Sequence, residues 1–564
     1  MRHRLMIRVG AAAILALLGT ASASQAATFQ LINIDGAGEG FNDTTPVAPV
    51  GGNPGTTLGQ QRLNVFQMAG TIWGSYLSSN VTIRVEARFD PLTPCDAASG
   101  VLGSAGAITT AFNFPGAPQT NTIYSIALAN RLAGSDQAPG VNDITARFNT
   151  SVDDATCLGA SDWYYGYDHN EGTDIDLLAV VLHELGHGLG FQTFTTLSTG
   201  AFLNNLPDAY ARNLLDTSNG LRWDQMTNNQ RRASATRTDQ LVWIGPNTLD
   251  FSSQFLGPAA FVRVDAPPAI AGVKAHGTAE FGAGTPNPDL QAQVILVNDG
   301  AGTTSDACET IVNSGQVAGK IALIDRGICP FVEKAARAQA AGAVAVIIGN
   351  NVAGAPPGMS GSDPSIVIPV VSISLDDTNA IKGQLGVGVT ATIGGDPTNI
   401  AGADAQGRPK LYAPNPLESG SSVSHFDSSA EPNLLMEPFI NHNLTKNVDL
   451  TQYVFADIGW LGTITAVEPG LAPAVARPQT APNPFSRATS MRFQLARGGK
   501  TTVEVFDARG ALVKRLPAAW RPSGPQSVEW DGADAAGRRA PAGVYFWRVR
   551  SEGESLTGRM VRVE

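Results

Sequence analysis

The stretch Leu177-Leu178-Ala179-Val180-Val181-Leu182-His183-Glu184-Leu185-Gly186-His187-Gly188-Leu189-Gly190 decides how this chain is read. An apolar run leads into two histidines four residues apart, which on a helix project from one face, one turn apart. Two imidazoles so placed can share a Zn²⁺ ion at about 2.0–2.1 Å each. Glu184, beside the first histidine, then points toward an open coordination position. A carboxylate there can take a proton from an attacking water and hand it to a leaving amine. Thr173-Asp174-Ile175-Asp176 has the form of a capping box and predicts the helix start, and Gly188 and Gly190 predict its stop. Gly186 and Gly188 each cost a helix roughly 1 kcal/mol against Ala, so a purely structural helix has no reason to carry them. A bare His-Glu-x-x-His also arises by chance on exposed helices. Here the capping box and the apolar half-helix set it apart.

Upstream, Leu58 to Leu77 carries apolar residues at helical spacing, and Val81, Ile83, Val85, Ala87 and Phe89 alternate with polar residues as in a half-buried strand. Ile123–Ala129 and Asp143–Phe148 read as further strands. Helix, strands and a capped helix predict an α/β or α+β unit, α+β being the expected class of the catalytic domain. Beyond Asp265 the texture changes to short β-rich runs (Gln293–Leu296, Lys320–Ile324, Val344–Ile348, Ile366–Ile373) around one helical segment, Phe331–Ala341. Leu450–Trp460 reads as a short helix. Glu468–Pro482 is rich in Pro and Ala and reads as a linker, and the strands after it predict a small β-sandwich.

Arg2, Arg4 and Arg8 before the apolar run Val9–Leu18 form a signal-peptide pattern, with small residues following through Ala26. The expectation is export, with no transmembrane segment, because that run is too short to span a bilayer. The formal charge of −11 argues against nucleic acid or an anionic membrane as partner. Residues 481–564 carry 14 Lys and Arg against 8 Asp and Glu, so the charge switches sign there and marks a separate domain. Four cysteines allow three pairings. Cys95 with Cys157 and Cys308 with Cys329 keep each pair inside one expected domain.

Two helix histidines leave a catalytic zinc short of a third protein ligand. No Glu lies between Glu184 and Glu280, so Asp208, Asp216, Asp224, His276, His425 and His442 remain as sources. His169 reads as a loop histidine. Asp427, Glu431 and Glu437 read as structural or solvated carboxylates.

The run through Gly190 resembles the metzincin peptidases, in which a glycine turns the chain after the active-site helix. Most of that clan place a third histidine three residues later, where this chain has Thr193. Ser424-His425-Phe426-Asp427 and, behind it, Leu434-Leu435-Met436-Glu437-Pro438 resemble the displaced third ligand and methionine turn of leishmanolysin-like peptidases, and similar segments occur in a group of bacterial secreted peptidases. The resemblance implies His425 as third ligand and Met436 as a methionine packed beneath the metal. Lys320-Ile321-Ala322-Leu323-Ile324-Asp325-Arg326-Gly327-Ile328-Cys329-Pro330-Phe331, with Lys334, resembles a protease-associated (PA) domain. That is a non-catalytic module implied to influence substrate access, and one in which positions matching Cys308 and Cys329 are commonly bridged. Asn483-Pro484-Phe485, Trp530-Asp531-Gly532 and Gly543-Val544-Tyr545-Phe546 resemble the Ig-like module of flagellar hook-cap proteins and the sorting domains of type IX secretion. That likeness implies contact with secretion machinery or a cell surface.

The expected layout is a signal peptide at 1–26, catalytic segments at 27–263 and 397–465, a PA insert at 264–396, a linker at 466–480 and an Ig-like β-sandwich at 481–564. The expected function is a secreted zinc endopeptidase acting on protein or peptide substrates. The alternative is an inactive metallopeptidase-fold binding or adhesion protein, against which the retention of Glu184 and of His183, His187 and His425 argues. A non-peptide hydrolase would use the same ligands. No EF-hand loop is present, so a Ca²⁺ requirement is allowed but unsupported.

Overall fold

The computed structural model describes residues 26–563, apart from positions 98, 160, 280, 360, 362 and 364 and the stretches 440–443, 445–447, 462–478, 482–484, 496–498, 508–510, 517–518, 522–523 and 552–553. The expected signal sequence and most of the expected linker, together with His442, lie outside the described residues. The chain divides into two compact units, Met1–Ile464 and Thr465–Glu564.

The first unit opens with β1 (Phe29–Asn33), α1 (Leu58–Tyr76), β2 (Ile83–Asp90), β3 (Gly103–Ala107) and β4 (Ile144–Asn149). Along β2, Ile83, Val85, Ala87 and Phe89 are buried and alternate with half-buried residues, the period of two that the sequence carries. β2 pairs in parallel with β1 and β4, while β3 runs antiparallel to β4, so the sheet order is β1-β2-β4-β3 and β3 is an edge. Helix α2 (Leu177–Leu189) is buried along nearly its whole length. It packs on α1, where the indole of the fully buried Trp73 donates to the Leu182 carbonyl at 3.1 Å.

Two local expectations are corrected. Of Ile123–Ala129 only Tyr124–Ser125 is extended; Ile126–Ala133 is a helix of good helix formers that ends on Gly134 in the left-handed region. The start of α2 is capped by Asp176 and not by Thr173. Ile175–Asp176 first pairs with Trp163–Tyr164, and the Asp176 carboxylate then accepts from Leu178 N at 2.8 Å. Strand pairing displaced the capping box by a few residues.

Between Pro258 and Ile400 the chain builds its own eight-stranded sheet. β5 (Pro258–Ala266) and β10 (Val389–Ile400) pair antiparallel at its mouth. β6 (Leu290–Leu296), β7 (Ile321–Asp325), β8 (Ala345–Gly349) and β9 (Val370–Ile373) run parallel, covered by α3 (Phe331–Ala340) and α4 (Leu375–Gln384). Ala322, Ile324, Val346 and Ile348 join Ala335 and Ala338 of α3 in one core, while Ile321, Leu323, Ala345 and Ile347 join Ile381 of α4 in another. Burial on both faces explains why these strands read as unbroken apolar runs. The expected borders at 264 and 396 fall inside β5 and β10, and Ala401 N donates to the Gly257 carbonyl at 3.0 Å, so entry and exit lie side by side. The chain then returns to the first core and ends there with α5 (Thr451–Ile458). Both disulfides, Cys95–Cys157 and Cys308–Cys329, are formed.

In the second unit, antiparallel strands at Gln479–Ala481, Thr489–Leu495 and Gly524–Trp530 form one sheet. Strands at Gly499–Asp507, Leu512–Arg515, Ala519–Arg521, Gly543–Ser551 and Glu554–Arg562 form another. Met491, Trp530, Trp547 and Met560 are fully buried in the shared core. The first strand starts at Gln479, inside the expected linker.

Candidate metal centre

His183, Glu184 and His187 all lie on α2, so the helix alone fixes their spacing. The helix stops where Gly190 takes a φ of +122°, and its N–H closes on His187 O. A side chain there would be strained and would meet Ile458 and Ser125. Gly186 has a different reason: a Cβ on it would lie 2.7 Å from the sulfur of Met436, which is fully buried against the helix.

The third histidine arrives from the far side of the inserted eight-stranded sheet. Tyr412 N donates to the His425 carbonyl at 3.0 Å, and Phe426 N donates to Met436 O at 2.8 Å, tying the histidine loop to the methionine turn. Leu434 N donates to Glu437 at 2.6 Å, and the buried Asp449 accepts from Leu435 N and from Thr451 N. Glu437 and Asp449 thus hold the turn, and the turn aims the Leu435 carbonyl at His183.

That carbonyl decides the chemistry of the ring. His183 Nδ1 lies 2.7 Å from Leu435 O, His187 Nδ1 2.9 Å from Phe191 O and His425 Nδ1 2.7 Å from Ser421 O. A carbonyl can only accept, so each Nδ1 carries the proton and each Nε2 presents a lone pair. The three Nε2 atoms stand 3.1, 3.2 and 3.2 Å apart. Converging lone pairs with no proton between them repel, and a cation at their centre removes that repulsion. Ligands of a tetrahedral ion bound at about 2.0–2.1 Å lie roughly 3.3–3.4 Å apart, so the triangle fits zinc. Burial holds the His183 imidazolium down to about 3 and that of His187 to about 4, and pushes His425 well below the usual range. All three are therefore neutral, as metal binding requires.

Glu184 is buried in the same place. Burial pushes its carboxyl up to about 8, against a hydrogen bond from the Ala105 backbone. A divalent cation among the imidazoles would favour the carboxylate. The edge strand β3 runs directly over it, since a Cβ on Gly103 would lie 3.1 Å from Glu184 Oε1.

The other ligand candidates have different work. Thr193 donates to Asp208 at 2.8 Å and its N–H reaches Ser424 at 3.3 Å, bracing the loop that carries His425. Asp208 also accepts from Phe194 N and Ala211 N. Asp216 pairs with Arg237, and Asp224 with Arg212 and Arg222. His276 sits on a strand of the insert's sheet, and His169 Nδ1 faces Asp176, the cap of α2, at 2.6 Å. Asp427 accepts from Ser429. Sequence reasoning missed the carbonyls of Leu435, Phe191 and Ser421, because a backbone carbonyl leaves no residue signature. It also missed Asp449, whose role depends on a contact fourteen residues away.

Comparison with known proteins places two modules. Residues 290–381 match the PA domain, and residues 483–555 match the FlgD Ig-like domain. The chain is 32% identical over 110 residues to a probable lipoprotein aminopeptidase, LpqL, of Mycobacterium tuberculosis, covering 19% of this chain and 21% of that protein. It is 31% identical over 100 residues to the minor extracellular protease Vpr of Bacillus subtilis, covering 18% and 11%. Among solved structures, a zinc aminopeptidase of Bacillus subtilis, BSAP, is 28% identical with a TM-score of 0.19, over 25% of this chain and 30% of that one. The chain spans less than half the length of the curated relatives it matches. The protein is thus multidomain, with a PA domain and a C-terminal Ig-like domain. Among the described residues, no helix is long and apolar enough to cross a membrane.

Proposed function

We propose that the chain is an exported zinc-dependent endopeptidase of metzincin type, with His183, His187 and His425 holding the ion and Glu184 as general base and acid. The observation that carries this reading is the triangle of unprotonated Nε2 atoms, closed by a residue 242 positions beyond His183. Bound there, zinc supplies Lewis acidity toward the scissile carbonyl and lowers the pKa of a water. The chain's own groups supply the rest. Leu435 O, Phe191 O and Ser421 O fix the ring planes, an outer-partner role that raises ligand basicity. Glu184 takes the proton of the attacking water and returns it to the leaving nitrogen. β3, with a free edge beside Glu184, offers backbone groups to an extended peptide, which suits cleavage within a chain. The PA domain and the peptidase names of the relatives support peptides as substrate, and the N-terminal signal pattern supports export.

Those relatives include aminopeptidases, which favours exopeptidase action as the second reading. Two substrates separate them: an internally quenched peptide blocked at both ends, and an unblocked leucine p-nitroanilide. The proposal expects zinc-dependent cleavage of the first, abolished by phenanthroline and restored by Zn²⁺. Turnover of the unblocked substrate alone would overturn the endopeptidase assignment. Zinc anomalous scattering placed away from His425 would overturn the ligand set.

A further inference from the structure

The PA domain carries a second cluster of ligating groups that the peptidase reading does not use. After β6 the chain makes a tight loop from Val297 to Glu309, braced by Asp299 N to Thr304 O at 2.9 Å and Asp306 N to Thr303 O at 3.0 Å. The Cys308–Cys329 disulfide pins its end. The loop brings one carboxylate oxygen each from Asp299, Asp306 and Glu309 within 4.8 Å of one another. Asp299 is 4% exposed, and neither of its carboxylate oxygens has a hydrogen-bond partner. A buried carboxylate left so is unstable unless something cationic meets it.

The buried Lys334 lies close enough to Asp306 and Asp299 to feel both charges, but the hydrogen bonds of the nearby cations go elsewhere. Lys334, fully buried, donates to the Asp306 carbonyl and to Cys308 Sγ, and Arg337 donates to the Ala307 carbonyl and to Glu333. Asp306 uses one carboxylate oxygen to accept from Cys308 N at 3.1 Å. Glu309 is exposed and free to close over the loop from the solvent side.

We infer that Asp299, Asp306 and Glu309 form a binding site for one hard divalent cation of the Ca²⁺ class. The donors are all carboxylate oxygens, which suit Ca²⁺ and not the nitrogen-selective ions of the histidine site. Oxygens bound to one Ca²⁺ at about 2.3–2.6 Å lie within roughly 5 Å of one another, which the cluster satisfies. The cation would cover Asp299 and lock the loop of the PA module, remote in sequence from the zinc ligands.

The test uses the full-length, zinc-loaded protein dialysed against resin-treated, calcium-free buffer. Bound calcium is counted by plasma mass spectrometry, and CaCl₂ is then titrated calorimetrically. One calcium per chain is expected, carried through or taken up, with affinity in the range of about 10⁻⁵–10⁻³ M or tighter. Asp299→Asn should weaken it by about tenfold or more, and Glu309→Gln, at an exposed position that leaves the fold intact, by several-fold. Zinc content should be unchanged in both variants. Absence of bound calcium and of uptake up to about 10 mM would overturn the inference and assign Asp299 to Lys334 through a water. Unchanged Ca²⁺ affinity in Glu309→Gln, or in a folded Asp299→Asn, would overturn it equally.

Discussion

The two halves of the histidine site are built in opposite ways. The helix half, His183-Glu184-Leu185-Gly186-His187, needs one turn of backbone to put two ligands and a carboxylate on one face. The loop half, from Ser421 to Asp449, has almost no regular structure among its described residues and depends on a chain of specific hydrogen bonds: Tyr412 to His425, Phe426 to Met436, and Leu435 to Asp449. Periodicity makes the first half robust and local. The second half works only if these bonds are made and if the loop meets the helix across a long stretch of chain, as Leu435 O meets His183 from 252 positions away. Chemistry should therefore be most sensitive in the helix half, and metal retention in the loop half.

The largest expected effect is on turnover. Glu184→Gln removes the proton carrier and leaves all three ligands, so kcat should fall by about 10²–10⁴-fold with one zinc per chain retained. Steady-state kinetics on the quenched peptide, with metal analysis of the same sample, checks both numbers. Near-normal turnover would remove Glu184 from the proposed mechanism. His425→Ala should do the reverse in kind: zinc is lost first, and activity with it. Its zinc affinity, measured by competition with a chromogenic chelator, should drop by more than the 10–100-fold typical of losing an outer partner.

Asp449→Asn sharpens the contrast further, since Asp449 touches no ligand ring. It accepts from Leu435 N and thereby sets the carbonyl that His183 donates to. Zinc affinity should fall by about 10–100-fold, with Glu184 chemistry unaltered once metal is saturating. A matching Asn at the equally buried Asp216, which pairs with Arg237 and takes no part in holding the histidine loop, controls for general damage to the fold. Equal zinc loss in both variants would show that burial alone, and not the aim of Leu435 O, matters.

How much of this was legible in the sequence follows the same division. The helix half announced itself, because spacing on a helix is a property of neighbours. The PA strands were equally plain, since β7 and β8 are buried on both faces and spell unbroken apolar runs. His425 and Met436 were reachable only through a resemblance of flanking residues, for no period links them to position 183. Asp449 was not reachable, because a carboxylate that caps a distant turn looks like any other Asp. The stretch Ile123–Ala129 misled for a related reason: a nearly continuous apolar run of so few residues suits a strand or a buried helix, and tertiary packing chose the helix.

The smallest expected effect comes from removing the most residues. If the histidine site is completed by loop contacts within the first core, the insert is an appendage and its excision should spare the chemistry. The geometry at its base supports this, because Gly257 and Ala401 are hydrogen-bonded to each other. A linker of four to six Gly and Ser residues replacing 258–400 therefore spans almost no distance. Most of the strain of closing it falls on loop entropy, which grows slowly with length. Part of the insert does lean on the core, since a Cβ on Gly284 would lie 2.8 Å from the Glu431 carboxylate, so the deletion opens that half-buried carboxylate to water, where its charge is solvated. The expected outcome is a folded protein holding one zinc, with kcat/KM on the short quenched peptide within about threefold of wild type, a ΔΔG‡ under about 1 kcal/mol. Hydrolysis of casein should change more, if the PA module governs how large substrates reach β3. A folded, zinc-loaded deletion inactive on both substrates would erase the contrast between core and appendage, because the insert would then be shaping the loop half of the site directly.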